Sequence, residues 1–331
     1  MMRKFMTFAV LSLLVLPVVA MESAMEDAIR HGAMAKICYR IIDDEGCPVS
    51  NAVAHVWFSS YARHQDDADW LVTTDTNGMF TVEHRTNESL DCGFDKDGYY
   101  HSSDQILFRD RKDVSVKVKD GKWQPYGETR TVVLKKIKNP WGVTELTGDR
   151  CHRVIPVFEQ WLPFDMEVSD WLAPYGSGVY NDVLLRFQKK VVEGENKGFA
   201  FSMDACFTNN PYAGVYYDSI DESSDLKTAY FADTNASYCT DYRFRIDTIG
   251  KRSVEKIGLK ADSYLVFRTR TRVDEKGNLI GAHYGKYCRS WRSDCKEMHF
   301  GGGCFNPVEN DSNIEGDPPL LGAIRNYKHR K

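Results

Sequence analysis

The sequence lacks the short motifs that identify several classes of enzyme. It contains no G-x-S-x-G nucleophile elbow, no P-loop and no metalloprotease motif. Neither C-x-x-C nor H-x-x-H occurs, so no pair of cysteines or histidines stands at zinc-ligand spacing. We therefore predict no catalytic residue, no metal site and no cofactor.

The chain also has little net charge and one long apolar run. A formal net charge of −4 gives no general attraction to nucleic acid or to anionic membranes. The apolar run, Phe5 to Leu16, follows a basic start and precedes small residues that fit a cut after Ala20. It is shorter than the ~18 to 20 apolar residues that span a bilayer, and it is typical of a secretory signal peptide. We expect residues 1–20 to be that peptide. The rest of the chain is then secreted, periplasmic or on the cell surface, without a membrane span.

The nine cysteines predict disulfides, because exported proteins fold in an oxidising compartment. Nine is an odd number, so at least one thiol is left over. Cys206 and Cys239 lie on segments that could pair across a hairpin, and two of the three late cysteines could close a loop. The pairing stays open at this point. The candidates are Cys38, Cys47, Cys92, Cys206, Cys239, Cys288, Cys295 and Cys304.

From Lys36 onward the apolar residues alternate with polar ones and are interrupted by turns. Within residues 35–138, short strands such as Ile37 to Ile42 are separated by turns that contain aspartate and glycine. This spacing predicts a β-sandwich rather than βαβ units. Beyond it we expect a connection over 139–163, a second β-rich domain over 164–311 and an irregular C-terminal extension over 312–331.

Two turn motifs occur in order within the first unit. Residues 41–56 read IIDDEGCPVSNAVAHV and residues 74–80 read TDTNGMF. This resembles the carboxypeptidase regulatory-like domain family, whose pattern is a strand, a D-x-x-G-x-P-[IV] turn and a later T-D-x-x-G-x-F. Lys96 to Tyr100 resembles the family's glycine-tyrosine segment, whereas Cys47 departs from the asparagine that is frequent there. The resemblance implies an Ig-like or prealbumin-like β-sandwich, and by itself no peptidase activity.

The C-terminal half resembles uncharacterised domains of secreted bacterial proteins, which imply no activity. Its aromatic residues have flat faces and polar edges, which suit recognition surfaces. We predict a non-enzymatic module that binds a glycan or a cell-surface protein. Strand alternation would place the adjacent Tyr216 and Tyr217 on opposite faces. The candidate binding residues are Trp171, Tyr175, Tyr216 and Tyr217.

Two alternatives remain open. A secreted hydrolase acting on glycans would need two carboxylates ~5 to 10 Å apart, and Asp165, Glu167 and Asp170 lie among aromatic residues of the kind that line a sugar cleft. The same composition is typical of a strand edge packed on a core. The other alternative is a purely structural spacer.

Overall fold

A computed structural model describes twelve ranges of the chain, which are 24–60, 67–108, 117–140, 144–146, 152–192, 198–207, 211–249, 252–257, 263–287, 292–293, 296–299 and 303–316. The expected signal peptide, Cys151, Cys288 and Cys295 lie outside these residues. The prediction of a mainly β chain is confirmed, since strands dominate and residues 24–31 form a short helix. Within these ranges no helix is long and apolar enough to cross a membrane.

The chain divides into two compact units. The first comprises Met1–Ile137 with Ser223–Asp225, and the second comprises Lys138–Glu222 with Leu226–Lys331. The strands of the first unit are β1 (Ala33–Asp43), β2 (Val53–Ser59), β3 (Ala68–Thr73), β4 (Met79–Thr86), β5 (Ser89–Asp95), β6 (Ser102–Leu107), β7 (Lys117–Lys119), β8 (Lys122–Gln124) and β9 (Glu128–Leu134).

These strands form a β-sandwich. One sheet has the order β4-β1-β8-β7, with β9 also paired to β1, and the other has the order β3-β2-β5-β6. Because successive side chains of a strand point to opposite faces, every second residue of β1 is buried. Tyr39 of β1 stacks on Phe80 and meets Phe94 edge-on, with ring centroids 5.2 and 5.3 Å apart. The core of the sandwich therefore lies between the two sheets.

Both turns that were read from the sequence are present in the first unit. Asp43 accepts hydrogen bonds from the backbone N–H groups of Glu45 and Cys47, at 3.0 and 2.8 Å. In the second turn Gly78 has a φ of +72°, and a Cβ there would lie 2.4 Å from the carbonyl oxygen of Ile41. Glycine is required at position 78 because the backbone approaches β1 so closely.

The described residues of the second unit form three sheets, with the orders β10-β23-β20-β19-β16, β13-β12-β14-β15-β17-β18 and β11-β22-β21. The first two share a core of aromatic and aliphatic side chains. The strands are β10 (Thr144–Leu146), β11 (His152–Val154), β12 (Trp161–Asp165), β13 (Asp170–Trp171), β14 (Val183–Val192), β15 (Gly198–Cys206), β16 (Gly214–Ser219), β17 (Asp241–Ile249), β18 (Arg252–Ile257), β19 (Ser263–Val273), β20 (Leu279–Tyr287), β21 (Arg292–Ser293), β22 (Glu297–His299) and β23 (Gly303–Asn306).

The stretch 139–163, expected to be a connection, contributes strands to this unit. Strand β10 pairs with β23 and β11 pairs with β22, so both partners lie about 150 residues away along the chain. Such distant pairing leaves no local signal in the sequence. The expected C-terminal extension also begins inside the fold, because Ile314 is fully buried.

The expected disulfides are absent among the cysteines that the structure describes, since Cys38, Cys47, Cys92, Cys206, Cys239 and Cys304 all carry thiols. Strand register explains why the predicted pair, Cys206 and Cys239, does not form a disulfide. Cys206 lies opposite Asp241, whereas Cys239 lies opposite Val215. Cys206 therefore belongs to the six-stranded sheet, whereas Cys239 is bridged to β16 of the five-stranded sheet, and neither cysteine is the pairing partner of the other.

Candidate functional site

The six-stranded sheet of the second unit has one apolar face and one polar face. On β14 and β15 the buried core residues include Leu185, Phe187, Met203 and Ala205. Because side chains alternate along a strand, the intervening Arg186 and Asp204 point to the other face. That face carries the candidate site.

Four side chains on this face form a row that crosses four neighbouring strands. Trp161 of β12 lies opposite Arg186 of β14, and Arg186 lies opposite Asp204 of β15. Asp204 in turn lies opposite Arg243 of β17. We call Trp161, Arg186, Asp204 and Arg243 the Asp204 row. Directly opposed residues on one face have Cβ atoms only ~4.5 to 5.5 Å apart, so each member contacts the next.

Asp204 binds both arginines. Its Oδ2 accepts hydrogen bonds from Nη2 and Nε of Arg186, at 2.7 and 3.2 Å, and its Oδ1 accepts one from Nε of Arg243 at 2.7 Å. Burial of Asp204 opposes ionisation, but the hydrogen bonds from the two guanidinium groups outweigh it and lower the pKa of the carboxyl. Asp204 is therefore an anion at neutral pH, and it fixes both guanidinium groups in place.

The two arginines of the row have N–H donors that are not used in hydrogen bonds to the described residues. A guanidinium has five N–H donors, and Arg243 uses only Nε while Arg186 uses Nε and Nη2. Within the described ranges, Nη1 and Nη2 of Arg243 and Nη1 of Arg186 have no hydrogen-bond acceptor. The Arg243 side chain is also 72% exposed. These donors are accessible to a ligand.

A concave pocket covers the row. Its volume is about 370 Å³, and Ala205, Asp241 and Tyr242 complete the lining. Small-molecule sites range from ~300 to 1,000 Å³, so this pocket lies at the small end. Trp161 is 42% exposed at one side, with the Arg186 guanidinium 4.7 Å from the centre of its ring system. The pocket thus offers an indole face and two guanidinium groups.

A second group of charged residues in the same unit is arranged differently. Arg270 of β19 binds Asp182 through Nε at 2.9 Å, Glu167 through Nη1 at 2.6 Å and Asp165 through Nη2 at 3.0 Å. We call these four residues the Arg270 cluster. Arg270 has a φ of +49° at a register shift between β19 and β20. Such a bulge re-aims a side chain, here into the protein.

The Arg270 cluster is saturated with hydrogen bonds. Asp165 also accepts backbone N–H bonds from Glu167, Val179 and Tyr180, at 3.0, 3.0 and 2.9 Å. Burial raises the pKa of Asp182 despite its bonds to Arg270. The side chains of Asp165 and Asp182 are 2% and 1% exposed. These carboxylates hold loops in place and have no open face toward a substrate.

Asp170, the third carboxylate considered for a hydrolase, also has a structural role. Its Oδ2 accepts hydrogen bonds from the N–H and the hydroxyl of Ser177, at 2.9 and 2.8 Å. Burial opposes its ionisation, but the bonds from Ser177 and the backbone of Trp171 lower its pKa. The carboxylates at 165–170 therefore do not form an acid and base pair across a cleft, which corrects the hydrolase alternative.

The four aromatic residues expected to bind a ligand are not brought together. Trp171 is 3% exposed, packs edge-on against Phe164 and donates from Nε1 to the carbonyl of Val154 at 2.8 Å. It belongs to the core, because an apolar ring of this size is most stable when buried. Tyr175 is exposed but lies outside the pocket lining.

Tyr216 and Tyr217 lie on opposite faces of their strand, as alternation predicts. Tyr216 packs on a cluster that includes Val266, and Tyr217 packs on the core that includes Phe267. Of the four predicted residues, only Tyr217 is connected to the pocket, through a 3.0 Å hydrogen bond from its hydroxyl to that of Tyr242. Reasoning from the sequence missed Arg186, Asp204 and Arg243, and it considered Trp161 only as one of the aromatic residues near Asp165.

One group in the described residues brings three potential metal-ligand atoms together, at Asp43, Glu45 and Cys47. The ammonium of Lys136 lies 2.8 Å from Asp43 and 3.0 Å from Glu45. Its positive charge offsets one of the two negative charges, and the two turn hydrogen bonds of Asp43 account for the rest of the geometry. This group is explained as part of the turn.

No protein-family model and no curated protein matches the chain. Among solved structures, similarity is found to 3-chlorocatechol 1,2-dioxygenase from Rhodococcus opacus 1CP, with 16% identity and a TM-score of 0.25. It is also found to chlorocatechol 1,2-dioxygenase from Pseudomonas putida, with 15% identity and a TM-score of 0.26. Each match covers 32% of this chain and 61% of the other.

These matched proteins are enzymes, whereas the prediction was a non-enzymatic module that binds a glycan or a protein. The match spans about three fifths of the length of each dioxygenase. At such TM-scores the likeness transfers no reaction, substrate or metal to this chain. The function must be argued from the residues of the site.

Proposed function

We propose that the second unit binds a small organic anion with a planar group, in the pocket over the Asp204 row. The observation that carries this proposal is the row itself, in which one buried carboxylate holds two guanidinium groups and leaves their outer donors open. Arginine binds carboxylates and phosphates through paired hydrogen bonds, and a guanidinium that is already oriented loses less entropy on binding. Trp161 would contact the planar group.

Titration calorimetry tests the proposal on the full chain. The ligands are 3-phenylpropionate, phenyl phosphate and, as an uncharged reference, 3-phenylpropanol. We expect the two anions to bind and the alcohol to bind at least tenfold more weakly. The reason is that a hydrogen bond to a charged group is worth ~1.5 to 3 kcal/mol.

Matched variants separate the pocket from the rest of the surface. Arg243→Gln removes the more exposed guanidinium and should weaken anion binding about tenfold or more. Its control is Arg272→Gln, which breaks an exposed ion pair with Glu309 outside the pocket lining. If neither anion binds, or if both variants weaken binding equally, the proposal is wrong.

We also propose that residues 1–20 are removed on export and that the first unit is a carboxypeptidase regulatory-like domain. The two turns at Asp43 and Gly78 support the second point, because they supply the geometry that the motif residues require. Expression of the full chain in a bacterial host, followed by N-terminal sequencing of the exported protein, tests the first. A chain that starts at Met21 is expected, and an uncut chain in the cytoplasm would refute export.

A further inference from the structure

The charges around the pocket narrow the class of ligand, and this step rests on the function proposed above. Asp241 lines the pocket and lies two residues before Arg243 on β17. Side chains two apart on a strand share a face, with Cα atoms ~6.6 Å apart at 3.3 Å per residue. A carboxylate and a guanidinium therefore project side by side into the same pocket.

The carboxylate of Asp241 is weakly engaged. Its one side-chain hydrogen bond in the described part of the chain comes from the hydroxyl of Thr240, at 3.4 Å to Oδ2. Within those residues Oδ1 has no hydrogen-bond donor, and the residue is exposed. By contrast, both oxygens of Asp204 are occupied by arginine. Asp241 is thus the acceptor that remains available at the pocket.

The formal charges then divide into two parts. Arg186, Asp204 and Arg243 together carry one net positive charge, while Asp241 carries one negative charge. A ligand with a single negative group would compensate the positive charge of the arginines and leave the negative charge of Asp241 uncompensated. A phosphate monoester is expected to bind less tightly than a carboxylate monoanion, because its additional negative charge would lie beside Asp241.

We infer that the pocket binds a small zwitterion with a ring, of the class of aromatic amino acids. The carboxylate of the ligand bonds to Arg243 and Arg186, its ammonium bonds to Asp241, and its ring contacts Trp161. Charged groups of opposite sign are matched at both ends, as electrostatic complementarity requires. An amino acid with an aromatic side chain is small enough for a pocket of about 370 Å³.

Three ligands with the same ring test this inference by calorimetry on the full chain at neutral pH. Phenylalanine carries both charges, 3-phenylpropionate lacks the ammonium and phenethylamine lacks the carboxylate. We expect phenylalanine to bind about threefold or more tightly than 3-phenylpropionate, in the range of an exposed ion pair. Phenethylamine should bind most weakly, because it cannot use the arginines.

Asp241→Asn provides the decisive variant. It should weaken phenylalanine to the affinity of 3-phenylpropionate, while 3-phenylpropionate itself binds equally well or better. Asp97→Asn, at an exposed position of the first unit, is the matched control and should change neither affinity.

The outcomes separate the two proposals. If no ligand binds, the proposed function fails and the zwitterion inference fails with it. If 3-phenylpropionate binds as tightly as phenylalanine to the wild type, the anion site stands and the zwitterion inference is overturned. Equal loss of both ligands in Asp241→Asn would also overturn it, because that result assigns Asp241 a general structural role.

Discussion

The second unit contains two charged networks with opposite composition, and their difference separates a structural cluster from a binding site. In the Arg270 cluster one guanidinium serves three carboxylates. In the Asp204 row one carboxylate serves two guanidinium groups. The first is buried, with the Arg270 side chain 14% exposed, whereas Arg243 in the second is 72% exposed.

Whether a charged group can bind a ligand depends more on its open hydrogen-bond donors than on its charge alone. Arg270 has hydrogen bonds from Nε, Nη1 and Nη2, and its guanidinium carbon lies 4.1 Å from the ring centre of Tyr180 and 4.8 Å from that of Phe305. Little of it is left for a ligand. The row has the reverse property, because Asp204 is saturated and its arginines are not. We therefore expect mutations in the Arg270 cluster to affect stability mainly, and mutations in the Asp204 row to affect ligand binding mainly.

The largest expected effect follows removal of Arg270. Arg270→Met leaves buried carboxylates without their counter-charge, which typically costs 3 to 5 kcal/mol, so we expect a loss of about 3 kcal/mol or more in the free energy of unfolding. Urea denaturation of the full chain measures it. Arg272→Met, in an exposed pair, should cost at most about 1 kcal/mol. Equal effects of the two variants would show that burial does not distinguish them.

A smaller effect on stability is expected at Asp204. Asp204→Asn removes an anion bonded to two arginines, and we expect a loss of about 1 to 3 kcal/mol in the free energy of unfolding. Binding of 3-phenylpropionate should weaken at the same time, since asparagine has one acceptor oxygen and at least one of the two guanidinium groups loses its partner. Full binding by this variant would mean that the arginines do not need Asp204.

The role of Trp161 should appear in binding with little change in stability. Trp161→Leu should weaken 3-phenylpropionate by about 0.5 to 1.5 kcal/mol, which is the range for aromatic pairs. Trp57→Leu is the control, because Trp57 has a similar exposure, 47%, on the first unit. Calorimetry on both variants measures the difference, and an equal loss in the control would remove Trp161 from the site.

The smallest effect concerns the pH dependence of the first unit. A hydrogen bond from His101 to Asp95 at 2.9 Å raises the pKa of the histidine, although partial burial opposes this. The resulting stabilisation is fully present below the unfolded pKa of ~6.5 and is lost as the pH rises through the folded value. Since His101 is 38% exposed, we expect less than about 1 kcal/mol.

Denaturation of the full chain at pH 6 and pH 8.5 measures this term, with Asp95→Asn as the comparison. The variant should lose the part of the pH dependence that comes from the pair. An unchanged pH profile in Asp95→Asn would assign the dependence to other groups.

The parts of the fold that depend on residues close together in the chain could be predicted from the sequence. Alternation along β1 and β2, and the turns at Asp43 and Gly78, depend on residues close together in the chain, and they predict the β-rich fold. The strands β10 and β11 were missed because their partners lie near the other end of the second unit. Pairing over such distances is set by tertiary packing.

The candidate site could not be predicted from the sequence, because it also depends on the packing of strands that are distant along the chain. Trp161, Arg186, Asp204 and Arg243 lie on four strands, and only the register of those strands makes them neighbours. The sequence instead drew attention to Trp171 and to Asp165, whose grouping with other aromatic and acidic residues reflects a core and the Arg270 cluster. A single signal was available, since Trp161 occupies an outward position where Leu162 and Phe164 are buried.

Side-chain NMR of the arginines tests the central claim most directly. The Nε–H resonances of Arg243, Arg186 and Arg270 can be assigned by single substitutions and followed as 3-phenylpropionate is added to the full chain. We predict saturable shifts at Arg243 and Arg186 and none at Arg270. Shifts at Arg270, or none at Arg243 up to high ligand concentration, would contradict the assignment of the Asp204 row as the binding site.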